Sequence, residues 1–155
     1  MTPRKEIFIK TKEALMTIPE LELVDFNRKQ FESETFPNLF VAALISIPNI
    51  EYETMTEEGQ LGTALITVTL YCRDGWMNQH NGTADPEHGL MEIDLLDEIA
   101  EKLQFVYGDQ FAPLQQTNDA EETVDMGGIF AYSQTFDTRV KRKLGRKYTN
   151  RQISH

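Results

Sequence analysis

Residues 60–73, QLGTALITVTLYCR, decide the fold. Side chains alternate across an extended chain, so Ala64, Ile66, Val68, Leu70 and Cys72 share one face. Leu65, Thr67, Thr69 and Tyr71 share the other. The β-branched run Ile66, Thr67, Val68, Thr69 suits extended backbone and resists a helix. The pattern predicts a central strand with one wholly apolar face and one threonine-rich face. The apolar face needs a helix laid on it. The threonine face meets solvent or a second protein.

Working outward, residues 39–47, LFVAALISI, are apolar nearly throughout and end at Pro48, which favours a buried strand. Residues 50–54 continue the ribbon, and Glu57, Glu58 and Gly59 turn it back, so the two strands form an antiparallel hairpin. Upstream, 2–18 reads as a helix, with Thr2 as cap, Pro3 in the first turn, and Ile7, Phe8, Thr11, Ala14, Leu15 and Ile18 along one side. A short strand at 21–26 and a polar connection at 27–35 follow. Downstream, 74–89 is a long polar loop rich in turn dipeptides. Residues 90–107 form the second helix, with Leu90, Ile93, Leu96, Ile99, Ala100, Leu103 and Val106 as its stripe and Gly108 as its C-terminal cap. A short strand at 112–117, an acidic loop at 118–126 and a last strand at 129–140 complete the domain. The predicted class is α+β: an antiparallel or mixed β-sheet with two main helices packed on one face, plus a basic C-terminal arm. One domain spans 1–140 and the arm spans 141–155.

The chain has 155 residues and a formal net charge of −10, unevenly placed. From 141 onward, Lys141, Arg142, Lys143, Arg146, Lys147 and Arg151 stand with no acidic residue, leaving nine basic against 25 acidic residues before them. An acidic body repels DNA and other polyanions, while the basic arm is drawn to them or to an acidic neighbour. Cys72 is the sole cysteine, so no internal disulfide forms, and its place on the apolar face makes it a small buried hydrophobe. With no apolar run of about 18 residues and no signal-like start, the expectation is a soluble protein made in a cytoplasm, with no membrane partner.

Candidate chemistry is sparse. His80, Asp85, Glu87 and His88 match no zinc spacing and read as surface loop residues. Gly127-Gly128 lacks the Lys-Ser/Thr of a phosphate loop and supplies backbone freedom at a strand start. Glu92, Asp94, Asp97, Glu98 and Glu101 form a solvated helix face. Catalytic, cofactor and metal residues are therefore expected to be none. Trp76, in a polar loop, either folds back on the core or meets a partner. A small metal-binding or enzymatic domain using His80 and His88 stands as the rival from another class.

The order of segments carries a resemblance. A helix with IKTKEALMTIPELELVD precedes a hairpin ending ITVTLYCRD, then a loop, the helix LLDEIAEKLQ, a strand with an acidic break, and a last strand finishing YSQTFDTRV. Over about residues 7–140 this resembles the tail terminator (tail completion) proteins of long-tailed phages and prophages, and it is similar to the small head–tail connector (neck) proteins that share their fold. The resemblance implies no catalytic residues. It implies a virion structural protein, assembled in the bacterial host cytoplasm into a hexameric ring. The ring caps the tail tube protein, stops its polymerisation and faces the head–tail connector, with DNA passing through its channel without specific binding. A ring needs two different patches that meet head to tail. Thr67, Thr69, Ser133 and Thr135 on the mixed faces, Trp76, and Lys141, Arg142, Lys143, Arg146 and Lys147 of the arm are the expected contact residues. Acidic loops at 51–58 and 118–125 are expected to line the channel.

Overall fold

Helix α1, Pro3–Leu15, begins as its cap dictates: the Thr2 hydroxyl accepts from the Lys5 amide at 3.3 Å, and Pro3 occupies the first turn. A computed structural model describes residues 1–30, 41–56, 59–73, 86–122 and 129–143. After α1 come strands β1 (Leu23–Phe26), β2 (Val41–Met55) and β3 (Gly59–Arg73), helix α2 (Pro86–Leu103), and strands β4 (Gln115–Glu122) and β5 (Ile129–Lys143). They build one five-stranded mixed sheet in the order β1-β2-β3-β5-β4. β1 runs parallel to β2, and every other neighbouring pair is antiparallel. The fold is α+β.

The alternation in β3 holds. Ala64, Ile66, Val68, Leu70 and Cys72 are buried in the core. They meet Val41, Ala43, Ile45 and Ile47 of β2 and Phe136 and Val140 of β5, under Ile7 and Leu15 of α1 and Leu95, Leu96, Ile99 and Leu103 of α2. Gln134, also buried, donates from Nε2 to the Leu96 carbonyl at 3.0 Å and ties α2 to the sheet.

Several boundaries differ from the sequence reading, each for a physical reason. Helix α2 starts at Pro86, inside the expected loop, and stops at Leu103. Its buried side is set by Leu95, Leu96, Ile99 and Leu103. Ile93 lies roughly 100° round the helix from that side and is 52% exposed. Gly108 is not the cap. Phe105 takes the left-handed turn at φ 69°, its amide held by the Leu114 carbonyl. Gly108 is demanded instead by close approach, since a Cβ there would stand 2.6 Å from Glu6 Oε1 and from the Phe111 ring. β4 covers 115–122, so most of the expected acidic loop is strand, paired along β5 from Gln115↔Asp137 to Glu122↔Ala131.

The last strand also runs further than expected. Lys141, Arg142 and Lys143 pair with Leu61, Gln60 and Gly59, so they belong to the sheet and not to an arm. Their other flank is held by the buried Gln110, whose carbonyl accepts from the Lys141 amide at 2.7 Å. Gln110 is itself fixed by Glu6 Oε1, which accepts its amide at 2.7 Å, and its Nε2 donates to the Met1 carbonyl at 2.8 Å.

Candidate interaction surfaces

The β2–β3 hairpin presents the first surface. β2 is buried from Val41 to Ile45 and again at Ile47; beyond that Pro48, Asn49, Glu51, Tyr52 and Glu53 are exposed. A register shift between Ser46 and Asn49 marks the change, and a second falls between Tyr52 and Thr54. Such bulges bend a strand and strengthen its twist. Gly62 sits opposite the second, where an added Cβ would lie 2.3 Å from the Glu51 carbonyl oxygen. Leu61 and Leu65, on the face away from the helices, are 44% and 36% exposed. The Thr56–Gly59 turn closes with the Thr56 amide donating to the Gly59 carbonyl at 2.7 Å.

Across this region Arg139 makes a forked pair with Glu53, Nη1 to Oε1 at 2.9 Å and Nη2 to Oε2 at 3.1 Å, and Nη1 also donates to Thr63 Oγ1. Hydrogen bonds from Arg139 and its charge hold the Glu53 carboxyl below its ordinary value of 4.5, and the same bonds raise Arg139. The Arg142 guanidinium lies 5.8 Å from the centroid of the Tyr52 ring, within cation–π range. An open groove of about 320 Å³ adjoins the pair, lined by Thr63, Phe105, Pro113, Asp137 and Arg139. Phe105, in this groove beside β5, is 63% exposed, and Tyr107 is 69% exposed.

The strand edges present the second surface. At one end β1 is short, and Phe26 packs edge-on to Phe8 of α1 at 5.7 Å. Asp25 there is partly buried, which pushes its carboxyl up. The Phe26 amide on Oδ1, Arg28 on Oδ2 at 2.9 Å, and the charge of Lys12 outweigh this and leave its pKa lowered. At the other end β4, QQTNDAEE, is a longer edge with Thr117, Asn118, Asp119, Glu121 and Glu122 exposed.

The expected contact residues divide. Thr67 and Thr135 are half-buried cross-strand neighbours with hydroxyls 3.5 Å apart. Thr69 and Ser133 are buried within the single chain, and the Ser133 hydroxyl donates to Glu122 Oε1 at 2.7 Å, so neither offers a free hydroxyl to a neighbour. Lys141, Arg142 and Lys143 are sheet residues. Trp76, Arg146, Lys147, His80 and Asp85 lie outside the described residues, while Glu87 and His88 fall in α2. Of the acidic stretches expected to be loops, 51–55 belongs to β2 and 118–122 to β4. Asp94, Asp97 and Glu101 are an exposed helix face, as expected. Leu65 is exposed on the face expected to meet solvent, whereas sequence reasoning missed Leu61, Phe105 and Tyr107 as exposed apolar groups, because an apolar residue in a turn or at an element's end gives no sign of exposure until its element's orientation is known. Among the described residues no cluster of three or more His, Cys, Asp or Glu is placed to hold a metal ion, and no helix is long and apolar enough to cross a membrane.

Neither the protein-family models nor the curated proteins compared with this chain give a match.

Proposed function

We propose that this chain is a virion structural protein, the tail terminator of a long-tailed phage or prophage, and that it works by contact, not by catalysis. Copies of it meet head to tail in a ring, expected to be a hexamer. The ring caps the tail tube protein, ends its growth and offers its other side to the head–tail connector. DNA passes through without specific binding. Assembly takes place in the bacterial host cytoplasm, and the protein then resides in the virion.

The observation that carries this reading is the pair of unlike exposed surfaces on one small subunit. One is the hairpin end, with Leu61, Leu65, Tyr52 and the Glu53–Arg139 pair. The other is the acidic edge of β4. A heterologous, ring-closing contact requires two different patches, whereas a two-fold dimer uses one patch twice. The order of helices and strands, in keeping with the resemblance drawn from the sequence, supports it as well. The exposed carboxylate of Glu51, at the hairpin end, suits a wall past which a polyanion slides, since phosphates are repelled.

Electron microscopy of the chain mixed with tail tube protein tests the proposal. Blunt, length-arrested tubes bearing a terminal ring are the expected result. Rings that bind a portal assembly and leave tube length unchanged would move the assignment to a neck connector. Tubes of unaltered length with no added density at either end would refute it.

A further inference from the structure

The β4 edge differs from an ordinary acidic surface because it is a strand at the rim of a sheet. It is eight residues long, about 25 Å by strand rise, and has β5 on one side only among the described strands. Near its start the Gln116 amide is taken by Gln104 Oε1 and the Asn118 carbonyl receives the Gln116 side chain. Beyond them come Asp119, Ala120, Glu121 and Glu122, with no basic residue in the strand. An edge of this length is a template for another strand unless charge or cover prevents it. Here the charge is all of one sign, so it selects a basic strand.

This chain carries a segment of that charge. Residues 144–155, LGRKYTNRQISH, follow β5 and hold Arg146, Lys147 and Arg151 with no acidic residue. Extended, they reach about 40 Å. Resting on the ring reading above, we propose that β4 of one subunit pairs with 144–155 of the next, adding a strand to the sheet in a head-to-tail chain of contacts. The fold favours a second copy over the same chain. β5 runs away from β4 as it ends: β4 pairs with it no further than Asp137, and Lys143 lies about 20 Å beyond. The flank between is filled by Phe111, which bridges to Val140, and by Ala112, whose amide bonds the Arg139 carbonyl.

Charge exchange in the full-length chain tests this. An edge variant, Asp119→Lys with Glu121→Lys, and a segment variant, Arg146→Glu with Lys147→Glu, are each expected to weaken self-association about tenfold or more, read by sedimentation. Mixing the two restores it, because the basic edge then meets the acidic segment and the reverse. Hydrogen exchange at β4 amides should slow as wild-type concentration rises. A synthetic peptide of residues 144–155 should slow it also, and a scrambled peptide should not.

Association unchanged by either variant, while rings still cap tail tubes, would overturn the strand pairing and leave the ring reading intact. Concentration-independent protection of β4 would place the segment on its own chain and overturn it too. Equal protection by the scrambled peptide would reduce the effect to bulk attraction, and the pairing would fall with it. If the wild-type chain stays monomeric and the peptide gives no protection, the pairing fails, and the tube experiment decides the ring separately.

Discussion

The inner and outer halves of the β2–β3 hairpin share one hydrogen-bonded ladder and almost nothing else. In the inner half, 41–47 against 66–72, side chains are buried on both faces apart from the half-buried Ser46 and Thr67. In the outer half, 48–56 against 59–65, Gly62 and Ala64 are buried while Tyr52, Glu53, Leu61 and Leu65 stand in solvent. Backbone pairing alone therefore suffices to continue a strand once packing has fixed its register. Stability resides in the inner half, and surface available for contact resides in the outer.

Four substitutions probe that division, from the largest expected effect to the smallest. Phe136→Ala empties the floor under both helices, where Phe136 is fully buried. It should cost about 3–5 kcal/mol in denaturant unfolding, and a loss below about 1 kcal/mol would mean the core does not rest there. Gly62→Ala strikes the outer half, where the new methyl meets the Glu51 carbonyl oxygen at 2.3 Å. A backbone shift costing about 1–3 kcal/mol is expected, visible as faster amide exchange in the hairpin end. Thr11→Val probes the inner region from the helix side. The Thr11 hydroxyl is buried with no hydrogen-bond partner among the described residues, so its removal should leave stability unchanged or raise it by up to about 1 kcal/mol. A clear loss would reveal a partner for that hydroxyl.

The smallest effect is expected from Glu53→Gln. The Glu53 carboxyl titrates below its ordinary value when folded, so the pair with Arg139 stabilises the chain above that ordinary value and ceases to as pH falls through the lowered one. Both groups are solvent-exposed, which screens the effect. Melting temperatures at pH 7 and pH 3 should differ slightly less in the variant than in the parent. An equal difference would remove any role for the pair.

Much of the fold was legible because its signals are local. The alternation at 64–72, the Thr2-Pro3 cap and the apolar run ending at Pro48 each depend on neighbouring residues and appear where expected. What was hidden depends on distant partners. Nothing around Lys141 shows that Gln110, some thirty residues earlier, will hold it as strand. The sequence QQTNDAEE has little β propensity and becomes β4 because β5 offers a ladder on its free side. Thr69 and Ser133 alternate as an exposed face should, yet both are buried. Of the expected contact residues, Thr67, Thr135 and Arg142 are half accessible, and Lys141 and Lys143 are exposed. The surfaces that carry the proposal, the exposed leucines and the acidic edge, emerge once three-dimensional placement is known.

The position of β5 has a consequence for how the protein is made. β5, the latest in sequence of the described strands, is inserted between β3 and β4, not added at the rim. Until it arrives, β3 presents fifteen residues of unsatisfied ladder, every one later matched to β5 from Gly59↔Lys143 to Arg73↔Ile129. The nascent chain thus passes through a stage whose most aggregation-prone border lies in its middle, open until β5 has been synthesised.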